Sequence, residues 1–211
     1  MKNPRLHWNH FLALQEDFGT CARYVEPSTD NDETFSIEFA RLLMAATQEI
    51  DVVLKMLCAL LDATSNASKI NPYEKVIQRH LPELKDATIC VPRYGRVLKP
   101  WQDWSIDSPP AWWTANNKVK HKRNEHFRRA NLGNTLLALS ALLSVILYYH
   151  RHERRRRDKS GEWSIVSQFL GLFDQPMIFE LKSPELSRSI GGGQIHNGKV
   201  LSELEYDDLD Q

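Results

Sequence analysis

Apolar residues recur every three or four positions along much of the chain, and that period predicts a series of amphipathic helices. The first covers Trp8 to Tyr24, with Trp8, Phe11, Leu12, Leu14, Phe18, Cys21 and Ala22 on its apolar side. Turn formers and acids from Glu26 to Asp32 break it, and Asp32 or Thr34 can cap the next helix. From Phe35 to Leu61 the helical period holds without a proline or glycine, which predicts one long helix. Glu49 and Asp51 inside it read as a solvated or i,i+4-paired face. A short helix with Tyr73, Val76, Ile77 and Leu81 comes next, with Asn71 as its cap, Pro72 in its first turn and Pro82 at its end.

Between Asp86 and Pro110 the period is lost. Pro92, Gly95, Pro100, Pro109 and Pro110 punctuate the stretch, and Thr88–Val91 and Arg96–Leu98 lean towards strand. It reads as a long excursion pinned to a helical bundle by Tyr94, Trp101 and Trp104. Ser108-Pro109-Pro110 opens another helix with Trp112, Trp113 and Val119, and a break is expected near Asn124. The last large helix runs from about Asn131 to Tyr149. Its length approaches that of a membrane span, and Arg151 and Arg154 to Arg157 flank it as a cytoplasmic end would. Asn134, Thr135, Ser140 and Ser144 recur along it, however, and a fully buried central helix explains the same pattern.

Beyond the arginines the pieces are short: Trp163–Val166, a strand candidate at Met177–Leu181, and Lys199–Leu201. Gly191-Gly192-Gly193 lacks the strand-to-helix setting and the Lys-Ser/Thr ending of a phosphate loop. The expected architecture is therefore mainly α: a helical bundle over residues 1–157 and a small irregular or β appendage over 158–211.

Charge changes this picture through its distribution, because Lys+Arg and Asp+Glu are both 27 and the net charge is zero. Lys118, Lys120, Lys122, Arg123, Arg128 and Arg129 face a single acid, Glu125, while Glu203, Glu205, Asp207, Asp208 and Asp210 crowd the end of the chain. Such segregation implies an anionic partner for the basic stretch, or a pairing of tail with patch. Cys21, Cys58 and Cys90 are far apart, with no CxxC spacing, so neither a zinc site nor a disulfide framework is indicated. Free thiols and the absence of an apolar signal core in Met1 to Trp8 lead us to expect a cytoplasmic protein with no membrane association.

The candidate chemistry lies in Asn116 to His126, which combines amides, two histidines and four cations between hydrophobic elements. On a continuous helix Asn117, Lys120, His121 and Asn124 share one face, with Arg123 and His126 on an adjoining one. Lys and Arg supply charge for a phosphate, Asn can donate to its oxygens, and a histidine can move a proton near neutral pH. The reaction joining these is RNA cleavage without a metal or other cofactor. Catalytic candidates are His121, Arg123 and His126; phosphate-binding candidates are Asn117, Lys118 and Lys120. The same residues can instead form a solvated basic face, or Asn117 and His121 can bond carbonyls of the long loop and lock it to the bundle.

The pattern from Trp112 to Leu143 resembles the HEPN-like helical superfamily. In particular it looks like bacterial members with an Asn-x-x-Lys-His-x-Arg motif before a terminal apolar helix, here Asn117, Lys120, His121 and Arg123, then Ala130-Asn131-Leu132. The resemblance implies a HEPN-like bundle, frequently dimeric. Many members are ribonucleases of toxin–antitoxin, CRISPR-linked or anti-phage systems, and others only bind nucleotides or proteins. Active members carry Arg followed roughly four to six residues later by His, whereas Arg123 and His126 are separated by only two residues. Two functions are therefore expected: an RNA-binding or RNA-cleaving protein with RNA and an antitoxin as partners, or a non-catalytic module that dimerises and engages an acidic protein.

Overall fold

The computed structural model describes residues 6–157, 179–182, 194–196 and 199–201. Among them are six α-helices: α1 Leu6–Cys21, α2 Ile37–Leu61, α3 Ile70–His80, α4 Ala111–His121, the single-turn α5 Arg123–His126, and α6 Leu132–Arg157. The mainly α expectation holds, and the helices form a bundle with α6 at its centre.

The reason is the sequence of α6. Ala141, Leu142, Leu143, Val145, Ile146, Leu147 and Tyr148 lie on every side of the helix and all are buried, so no face of this stretch can be left to water. The 25-residue α2 supplies its most extensive interface, through Phe39, Leu42, Leu43, Ala46, Ile50, Val53, Leu54 and Leu57. Helices α1 and α4 cover other sides. Two buried polar residues of α6 are satisfied locally: the Thr135 hydroxyl donates to Asn131 O at 2.8 Å and the Ser144 hydroxyl to Ala141 O at 2.7 Å. Leu132–Glu153 is long and apolar enough to cross a membrane, the one such segment among the described residues, and most of it is buried within the fold.

The excursion after α3 is more ordered than its composition implies. Strands β1 (Thr88–Val91) and β2 (Arg96–Leu98) pair antiparallel in the register Ile89↔Leu98 and Val91↔Arg96. Gly95 closes the turn at φ 63°, where a side chain would be strained. Strand β3 (Glu180–Lys182) adds to the other side of β1, giving the order β2-β1-β3. Phe179 just before it is buried against Phe11 and Phe18, so this part of the C-terminal segment helps to close the bundle core. Strands β4 (Gln194–His196) and β5 (Lys199–Leu201) form a second antiparallel pair. Trp163–Val166, the glycine turn and the acidic tail lie outside the described residues.

Four local expectations are corrected. Helix α2 starts at Ile37 and its cap is Ser36, whose Oγ accepts from Phe39 N–H at 3.0 Å. Asp32 and Thr34 cannot cap it because the segment they occupy is bonded to the start of α6. Leu132 N–H donates to Thr34 O and Gly133 N–H to Asp32 O, at 2.9 and 3.0 Å. Gly133 suits this approach, since a Cβ there would meet the Asp32 side chain at 3.3 Å, a tight contact from which Asp32 would have to shift. Asp32 itself is held by both guanidinium nitrogens of Arg96, each at 2.9 Å. Helix α3 begins at Ile70, so Asn71 and Pro72 occupy its first turn and Asn71 is not the cap. Ser108 does not cap α4 either: it pairs with Ser105 across a tight turn, and Pro110 is the capping position. Glu49 is neither solvated nor paired along its helix, because it bonds His7 of α1 at 2.5 Å.

Burial pushes the Cys58 thiol up to about 12, and Cys21 and Cys90 are likewise unbridged. The hydrogen bond from His7 holds the Glu49 carboxyl below the usual carboxylate range. A depressed carboxyl contributes stability at neutral pH that is lost as pH falls through its folded value. Glu49→Gln should therefore cost about 1–2 kcal/mol near pH 7, and the difference from the parent should shrink as the pH falls through and below the usual carboxylate range. Leu142→Ala, in the buried stretch of α6, should cost about 2–5 kcal/mol by chemical denaturation across the same pH span.

Candidate nucleic-acid interface

The tryptophans place the basic stretch. The Trp101 indole N–H donates to Ser144 Oγ on α6 at 2.8 Å, and that of Trp112 donates to Pro100 O at 2.8 Å. The rings of Trp101 and Trp104 are 4.9 Å apart, and those of Trp101 and Trp112 meet edge to face at 5.3 Å. The first half of α4 is thereby fixed in the core, and its second half must project the residues beyond it.

Val119 is the last inward residue of α4. With Ala40 and Ala130 it forms a small separate core, onto which Met44 and Phe127 pack. Each residue turns the helix by about 100°, so Lys118 and Lys120 flank Val119, and Asn117 and His121 point away from the protein. All four are exposed, and none of their side chains makes a hydrogen bond or ion pair within the described residues. Three cationic or imidazole side chains in the last turn of α4 also complement the negative end of its dipole.

The helix stops at Lys122, where φ is −142° and ψ 58°. The expected shared face therefore survives only for Asn117, Lys120 and His121. Asn124, Arg123 and His126 lie beyond the break on the single turn α5. The break comes two residues before Asn124, and its physical cause is the need to bring Phe127 and Ala130 back onto Val119. Arg123 is exposed and its guanidinium lies 3.2 Å from the Met44 sulfur. His126 is half-buried, 4.0 Å from the Glu125 carboxylate, which also lies 3.5 Å from Lys122.

The structure thus leaves Asn117, Lys118, Lys120, His121 and Arg123 open to water, and it separates His121 from Arg123 and His126 by a backbone break. Asn117 and His121 form no bond to the proline- and tryptophan-rich stretch, which is anchored by its own indoles. The arrangement can bind an extended anion over its surface. A cavity of about 490 Å³ lies elsewhere, lined by Asn66, Asn71, Lys75 and Asp107 among others. No group of three or more His, Cys, Asp or Glu suited to a metal occurs among the described residues.

Sequence reasoning missed Phe35 and Phe127. Periodicity assigns Phe35 to the apolar face of α2, yet it lies before the helix in a bridge to Asn131 and is 39% exposed. It meets Phe127 edge to face at 5.4 Å, with the Arg128 guanidinium 5.5 Å over its ring. The available signal was Phe127 itself, the one aromatic residue set among the cations. Arg151, from the second basic cluster, is buried and lies against the Tyr148 ring, so it adds nothing to the open face.

Exposure without partners predicts that His121→Ala and Asn117→Ala change folding stability by less than about 0.5 kcal/mol, measured as denaturant midpoints. Val119→Asp, which puts a charge into the small core under the turn, should instead unfold it locally and lower the midpoint. A scan against protein-family models, a search of curated proteins and a search of solved structures each give no match to this chain.

Proposed function

We propose that this chain is a HEPN-like RNA-binding protein that holds the phosphate backbone on the turn between α4 and α6. One observation carries the reading: between Lys118 and Arg129 all six cations are exposed, and a single carboxylate, Glu125, stands among them. Lys118, Lys120 and Arg123 would contact phosphate, with Asn117 donating to its oxygens. Histidines at 121 and 126 give the same surface a route to cleavage. One would take the ribose 2′-OH proton as the 2′ oxygen attacks phosphorus, the other would protonate the leaving 5′ oxygen, and Arg123 would stabilise the charge between them. The break at Lys122 favours binding as the primary activity. A place in a bacterial defence or toxin–antitoxin system, a homodimer, a cytoplasmic location and an antitoxin partner rest on the resemblance of Asn117-x-x-Lys120-His121-x-Arg123 alone.

A second reading is a non-catalytic module whose basic turn engages an acidic protein; it is favoured by the exposed turn and by the separation of the two histidines across the broken helix. Binding of labelled RNA across a salt series separates the two. The log of the association constant should fall with log salt at about −0.7 per phosphate contacted, and no more steeply than about −4 for six cations. The double substitution Lys118→Ala and Lys120→Ala should weaken binding about tenfold and flatten that slope. RNA degradation in EDTA that is lost in His121→Ala would establish cleavage, and intact RNA at high protein concentration would exclude it.

A further inference from the structure

We infer that the basic turn selects unpaired nucleic acid, because Phe35 offers a base-stacking platform at its edge; this rests on the RNA-binding reading above. Exposed apolar side chains are common, but Phe35 is placed by specific interactions. Its backbone is bridged to Asn131, its ring is braced from the side by Phe127, and the Arg128 guanidinium lies 5.5 Å over it. Phe127 packs on the same small core that Val119 anchors, and Arg123 reaches Met44 in that core. The aromatic pair and the cations therefore occupy one continuous surface. The neighbouring carboxylates are engaged. Asp32 is held by Arg96, Glu33 accepts from the Asn131 amide at 3.1 Å, and Glu38 pairs with Arg41 at 2.8 Å.

A half-exposed phenyl ring with a guanidinium 5.5 Å from its centre and further cations on the same surface matches what a single strand presents: a flat, apolar base beside a phosphate. A duplex keeps its bases stacked on each other and offers only phosphates and groove edges. An acidic protein segment offers carboxylates without a planar partner for Phe35. The placement thus favours a single strand over either alternative, with an unpaired base against Phe35 and its phosphates on Arg128, Arg123 and the α4 lysines.

The test is fluorescence anisotropy with three probes: a labelled single-stranded RNA of about 12 nucleotides, the same strand annealed to its complement, and labelled poly-glutamate. The parent protein should prefer the single strand to both others by about fivefold or more. Phe35→Leu, which keeps an apolar side chain against Phe127 but removes the π face, should lose about tenfold for the single strand and leave the duplex within about twofold. Phe35→Tyr should retain single-strand binding. Unchanged single-strand affinity in Phe35→Leu, or duplex or poly-glutamate bound as tightly as the single strand by the parent, would overturn the inference while leaving the cationic surface in place. Failure of the parent to bind either RNA probe would remove the RNA-binding reading as well.

Discussion

From Leu136 to Tyr149 helix α6 is buried around its whole circumference, and keeping water from that stretch is the constraint on which the other elements depend. A helix with one apolar stripe needs one neighbour; this one needs a complete jacket. Helix α2 provides the largest part, and α1 and α4 extend it. Trp101, from the loop before α4, also packs on it, the β-hairpin joins the same core through Ile89, Val91 and Leu98, and Phe179 returns from the C-terminal segment to pack on α1. The hydrogen-bonded Trp101–Ser144 pair illustrates how the jacket is tied to its core: a large apolar ring supplies area, and its one polar atom finds a partner on α6.

The same constraint explains where the polar stretch lies. The chain must leave the core at the end of α4 and return at the start of α6, with only ten residues, Lys122 to Asn131, to do so. Val119, Ala130 and Phe127 pack with Ala40 and Met44 of α2 and hold that return against it. Most of the positions between them face water, and the segment is correspondingly rich in Lys, Arg and His. The segment preceding α2 runs beside the start of α6, stitched by backbone bonds from Leu132 and Gly133, and so delivers Phe35 to the rim of the cationic turn. Packing requirements alone thus bring an aromatic ring and a set of cations, distant in sequence, onto one face.

Much of the helical plan is legible because its signal is local. The period from Phe39 to Cys58 reflects a helix side buried along nearly its whole length, and the all-round apolarity of Leu136 to Tyr148 marks a central position. The ends are less legible. Asp32 and Thr34 have the chemistry of helix caps, but their backbone is committed to α6, so Ser36 takes the role. Ser108 is likewise committed to its bridge with Ser105, and Asn71 is passed over because α3 already starts at Ile70: a residue suited to capping caps only if the chain turns there. Glu49 reads as solvated or paired along its own helix because nothing near it in sequence announces His7, 42 positions away.

Side-chain periodicity and charge act between near neighbours, and they suffice to make the chain mainly helical, to put its last long helix in the core, and to interrupt the apolar pattern before that helix with a basic, histidine-bearing stretch. Long-range packing set the remainder: the placing of the break at Lys122, two residues before its expected position, the freedom of Asn117 and His121 from the loop, and the placing of Phe35 on the surface beside Arg128. Those outcomes depend on contacts between residues far apart along the chain, fixed by how separate helices share one core, and no local pattern encodes them.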